Sequence, residues 1–162
     1  MTDDIDVTAH YESLKDRVVI ITGGGQGIGR GYARHFARQG AIPVIAELNG
    51  ANGDSVKREI EEAGGTAYAF ETDVGSMDSV AAMAEATLKA AGRIDVLINN
   101  AAVFSRITMA PFWELPLDEW DSAMQVNVTG SFYCARAVVP AMQEAKWGRI
   151  VNVTSGTVAL GS

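Results

Sequence analysis

The chain has 162 residues, 48% hydrophobic and 20% charged, which supplies one buried core and excludes a disordered polymer. Thirteen Lys+Arg against twenty Asp+Glu leave a net charge of −7, the wrong sign for a nucleic-acid face or for docking on anionic lipid. One cysteine and two histidines exclude an internal disulfide and a Cys/His zinc site. No apolar run reaches the ~18 residues that a spanning helix needs. Residues 1–17 are polar and acidic with no apolar signal core, so the expected compartment is the cytoplasm.

In chain order, a β-branched run at residues 18–21 predicts a first strand, followed by a helix over 27–39 that Gly40 stops. A second strand is expected at 42–46 and a helix at 52–63, ended by Gly64 and Gly65. A weaker strand signal at 66–70 precedes a helix at 76–91 with Asp78 in its first turn and Gly92 at its end. A fourth strand follows at 94–98. The stretch 103–116 holds Phe104, Met109, Pro111, Phe112, Trp113 and Pro116. It either forms an apolar wall beside a ligand or caps the next helix. That helix is expected to run unbroken over 117–145, before a fifth strand at 150–153. The strands lack strict alternation, as strands covered on both faces do. The predicted class is therefore α/β: a doubly wound parallel sheet of Rossmann type with five strands.

Thr22-Gly23-Gly24-Gly25-Gln26-Gly27-Ile28-Gly29 joins the first strand to the first helix. Bare glycine backbone lets a pyrophosphate approach the N–H groups of a helix N-terminus. Glu47 ends the second strand, where a carboxylate accepts hydrogen bonds from the adenosine ribose. It would repel a 2′-phosphate by about 4 kcal/mol at 4 Å and an effective dielectric of 20, so NAD is favoured over NADP. No Lys or Arg precedes Arg30 in the loop, or directly follows Glu47, to reverse that choice.

The Gly-x-x-x-Gly-x-Gly spacing resembles the cofactor loop of the short-chain dehydrogenase/reductase family in its ordinary, non-extended form. Further matches come in the family's order: Asp73-Val74, Asn99-Asn100-Ala101-Ala102, Asn127 within Met124-Gln125-Val126-Asn127-Val128, and Gly148-Arg149-Ile150-Val151-Asn152-Val153-Thr154-Ser155. The resemblance implies an NAD-dependent oxidoreductase that transfers a hydride between the cofactor and a secondary alcohol or ketone. It places Gly23, Gln26, Gly27, Ile28, Gly29, Glu47, Leu48, Asp73, Val74, Asn100 and Ala101 around the cofactor. Ser155 would bind the reacting oxygen, and Asn127 would hold a water of the proton relay. On this reading residues 1–16 are a tail and 17–162 an NAD-binding domain with five of the family's seven strands.

Two positions depart from the pattern. Ala102 stands where the family has glycine. The seven residues after Ser155 contain neither the tyrosine nor the lysine of the family's Tyr-x-x-x-Lys pair. The chain is thus expected to be an incomplete enzyme that does not turn over by itself. The alternative is a non-catalytic NAD-binding module. The 117–145 helix resembles the family's subunit contact, which implies a homodimer or homotetramer of the complete protein. Cys134 and Trp120 are expected to pack, His35 to lie on a solvated helix face and His10 in the tail.

Overall fold

The computed structural model describes residues 9–103 and 108–155. Its sheet has five parallel strands in the order β3-β2-β1-β4-β5, with β1 Val18–Thr22, β2 Ile42–Glu47, β3 Tyr68–Glu71, β4 Val96–Asn99 and β5 Arg149–Asn152. The helices are α1 Gly27–Arg38, α2 Gly50–Glu62, α3 Met77–Ala91, α4 Leu117–Met124 and α5 Gly130–Glu144.

The run of β-branched residues in β1 is explained by the two-residue period of a strand. Val18 and Ile20 face one core cluster with Val80, Met83, Leu97, Cys134 and Val138. Val19 and Ile21 face a second with Ala33, Ile45, Val56, Ile60 and Ile98. Every β1 residue is buried, because each face is covered by a helix layer. Full burial of each such side chain stabilises the fold by about 1.5–3 kcal/mol. Burial also pushes the Cys134 thiol up to about 12, consistent with a packing role.

Local signals set the ends of the helices. Asn49 caps α2 by accepting the Asn52 N–H at 3.3 Å, and Ser76 caps α3 by accepting that of Ser79 at 3.3 Å. Gly92 closes α3 in the left-handed conformation, φ +74°.

Three expectations needed correction. The third and fourth strands start at Tyr68 and Val96, each two residues later than expected. The long helix is interrupted by a π-helical segment, Gln125–Thr129, between α4 and α5. Trp120 is 57% exposed, because the apolar residues Leu117, Trp120, Met124, Val128 and Phe132 form a stripe that nothing in this chain covers among the described residues.

Candidate functional site

The sheet order reverses between β1 and β4, so the crevice outside their carboxyl ends is where ligands enter such folds. Thr22, the last residue of β1, ties the two strand ends together there. Its hydroxyl donates to the Ile98 carbonyl at 3.4 Å and accepts the N–H groups of Asn100 and Ala101, each at 3.0 Å. The Asn100 side chain returns the connection, donating to the carbonyls of Thr22 at 3.0 Å and Gly23 at 3.3 Å. Asn100 and Ala101 thus stand beside the glycine turn. Thr22 carried no assigned role in the sequence, since a threonine ending a strand looks like any other strand residue.

The turn itself needs bare backbone. Gly23 is at φ +63°, and a Cβ at Gly29 would strike the Gly23 carbonyl oxygen. The Gly23 N–H donates to the Ala46 carbonyl at 2.8 Å, fixing the turn against the end of β2. Gln26, Gly27 and Ile28 are exposed, with Gly27 opening α1.

Glu47 lies just below this turn. It is 7% exposed, one carboxylate oxygen accepting the Gly25 N–H at 3.0 Å and the other the Asn49 N–H at 3.2 Å. Each oxygen keeps a further lone pair, and no cation pairs with Glu47 among the described residues. Ile28 and Leu48, each 67% exposed, are apolar side chains near the turn and the end of β2 that lie mostly in solvent. Asn49 was missed by the sequence reading. Its backbone N–H orients Glu47 while its side chain caps α2.

Asp73 is exposed, and its carboxylate accepts the Gly75 N–H at 2.8 Å in a tight turn before α3. Val74, by contrast, is buried in the core and packs against Gly130. Only its main chain is left to face a ligand.

Asn127 sits in the π-helical segment, and its side chain bonds both main-chain groups of Val103. Its Oδ1 accepts the Val103 N–H at 2.8 Å and its Nδ2 donates to the Val103 carbonyl at 3.2 Å, pinning the chain that leaves β4. The Asn127 carbonyl accepts the Ser131 hydroxyl at 3.1 Å. Ser155 lies exposed beyond β5, at the same end of the sheet. A chain of bonds connects the two regions: Asn99 donates to Asn152 at 2.9 Å and to the Ser131 carbonyl at 3.3 Å.

The apolar stretch after β4 is partly outside the described residues, Phe104 included. Of the rest, Phe112 and Trp113 are exposed and meet edge to face, centroids 5.2 Å apart. They do not cap α4. Thr108 holds the stretch to α4 instead, donating from both its N–H and its hydroxyl to Glu119 at 2.7 Å. Those bonds lower the Glu119 carboxyl below the usual range. A groove of about 350 Å³ between α1 and α2, crossed by the Arg30–Glu59 pair at 2.9 Å, shares no residue with this site.

A family model described as short chain dehydrogenase matches residues 17–161. An uncharacterized oxidoreductase of Thermotoga maritima is 38% identical over 142 residues, 88% of this chain and 54% of the relative. A D-threitol dehydrogenase of Mycolicibacterium smegmatis is 37% identical over 163 residues, 99% of this chain and 62% of the relative. Among solved structures, an NAD+-bound xylitol dehydrogenase superposes with a TM-score of 0.86 at 29% identity, covering 92% of this chain and 56% of that one. A metagenomic short-chain oxidoreductase in complex with NADP superposes at 0.82 with 38% identity, covering 88% and 64%. The chain thus spans between half and two thirds of the length of these proteins.

Proposed function

The chain belongs to the short chain dehydrogenase family, and on that premise we propose that it is the cofactor-binding part of an NAD-dependent oxidoreductase acting on a secondary alcohol or ketone. The observation that carries this reading is Glu47, a buried carboxylate without a cation, held by two backbone N–H groups beneath a bare glycine turn. Such a carboxylate accepts hydrogen bonds from ribose hydroxyls and repels a 2′-phosphate. The nicotinamide cofactor, when bound, supplies or takes up the hydride.

The chain's own residues do the rest. The turn at 23–29 offers its N–H groups and the positive end of α1 to the diphosphate. Ile28 and Leu48 give apolar cover on either side of the nucleotide, and burying them removes an otherwise unfavourable exposure. Asp73, Val74, Asn100 and Ala101 complete the cradle, Val74 through its main chain. Ser155 donates a hydrogen bond to the reacting oxygen and steadies charge that develops there. Asn127 acts on a relay water through the second lone pair of its main-chain carbonyl, the first accepting the Ser131 hydroxyl, while its side chain holds Val103.

These residues make up the cofactor-binding side of the site, and a Tyr-x-x-x-Lys pair, which would move the proton in the family, is not among the 162 residues. The apolar stripe from Leu117 to Phe132 supports a homo-oligomer, since burial against a second copy covers it. No described helix is long and apolar enough to cross a membrane.

Titration of the purified chain with NAD and NADP, followed by calorimetry, tests the reading. NAD binding tighter than NADP is expected. Failure to bind either at millimolar concentration overturns it.

A further inference from the structure

The glycines of the turn are glycines for different reasons. Gly23 and Gly27 have φ of +63° and +51°, whereas Gly25 lies outside the left-handed region, so its φ does not call for glycine. What excludes a side chain at Gly25 is space. A Cβ there would come within 2.7 Å of Glu47 Cγ and 2.9 Å of both Glu47 Oε2 and Asn52 Cβ. Glu47 has little freedom to retreat, because the Gly25 N–H at 3.0 Å and the Asn49 N–H at 3.2 Å hold its two oxygens. Asn49 is itself anchored through its cap on Asn52 at 3.3 Å.

We propose that Gly25 is a specificity-determining position that acts through Glu47: its bare α-carbon is the room in which the carboxylate stays aligned for a ribose diol. A side chain at 25 pushes the Glu47 carboxylate off its two N–H partners. NAD then loses its ribose contact, while the phosphate contacts made by the backbone of the turn persist. The inference rests on the reading of Glu47 given above. It makes residues 25 and 47 one coupled unit rather than two independent contributors.

The test is a double-mutant cycle with Gly25→Ala and Glu47→Ala, reading Kd for NAD and for NADP on each purified full chain, with thermal unfolding alongside. Gly25→Ala is expected to weaken NAD about ten- to a hundredfold, the loss of one charge-assisted hydrogen bond, and not to weaken NADP. In the Glu47→Ala background the same change is expected to cost much less NAD affinity than in the wild type, the contact with Asn52 Cβ being all that remains of it. General damage to the turn would weaken both dinucleotides equally, and that result overturns the proposal. Additive losses in the double variant overturn it too. Wild-type binding of NAD with Gly25→Ala unaffected sinks this inference alone. No NAD binding by the wild type sinks the functional reading and this inference together.

Discussion

Two buried carboxylates stand at opposite ends of the same sheet. Asp95, just before β4, has a side chain 3% exposed and accepts from Arg17 at 2.8 Å, Arg93 at 2.6 Å and the Val18 N–H at 2.9 Å. The Arg17 guanidinium in turn lies over the Trp147 ring, 4.0 Å from its centroid, so this end is closed by a stack of cation on aromatic. Burial pushes the Asp95 carboxyl up, but the bonds from Arg93, Val18 and Arg17 outweigh it and hold the group below the usual carboxylate range. Glu47, at the other end, has neutral N–H partners and no guanidinium. A carboxylate saturated by cations is a staple with nothing left to offer. One held by amides is oriented yet still has lone pairs and an uncompensated charge, which is what a binding group needs.

The sharpest way to break this contrast is Glu47→Ala. Removal of an uncompensated charge should shift the NAD-over-NADP preference by up to about 4 kcal/mol, near a thousandfold, as read from the two Kd values. An unchanged preference would mean that Glu47 is no more a binding group than Asp95.

Next in size is Asp95→Ala. Loss of its charged hydrogen bonds should lower stability by about 2–3 kcal/mol, seen as a fall in Tm, with NAD affinity unaltered. The pH dependence has a definite sign. The folded value of Asp95 is lowered, so its contribution is complete above the unfolded value of about 3.9 and disappears as pH falls through the folded one. The Tm gap between wild type and Asp95→Ala should therefore close on acidification below about pH 4 and stay constant from pH 5 to 7. A gap that widened in acid would contradict the assignment.

A smaller effect is expected from Asn127→Ala, which frees the Val103 main chain at a cost of about 1–2 kcal/mol. Hydrogen exchange at the Val103 amide should rise more than at strand amides. Smallest of all is Cys134. With its thiol pushed up to about 12, it should not react with a disulfide reagent at pH 8 until the chain unfolds, whether or not NAD is present.

The frame was legible because the physics that builds it is local. Val18 to Ile21 show a strand covered on both sides, and Gly40, Gly64 and Gly92 mark helix ends with φ of +77°, +83° and +74°. The glycine turn and Glu47 were legible as a pair because residues next to each strand end meet in a parallel sheet. Features that depend on partners distant in sequence were not. Asn127 signalled an unusual helix position, but its bond to Val103 and the π-helical segment around it require the tertiary structure. The role of Thr22 depends on Asn100 and Ala101, which only the β1–β4 pairing brings close. Trp120 was misread because an amphipathic stripe looks the same whether it faces a core or another molecule.

The π-helical segment at Gln125–Thr129 has a bearing on how this chain can change over generations. A π turn is an α-helix carrying one surplus residue, and each residue of an α-helix advances about 100° around the axis. Deleting any one of those five positions would restore a regular helix and rotate everything before it by that angle, carrying Leu117 and Trp120 round to a different side and separating Asn127 from Val103. Away from Asn127, length is therefore more tightly constrained here than identity: replacements at the other four positions should be tolerated in descendants more readily than single-codon losses.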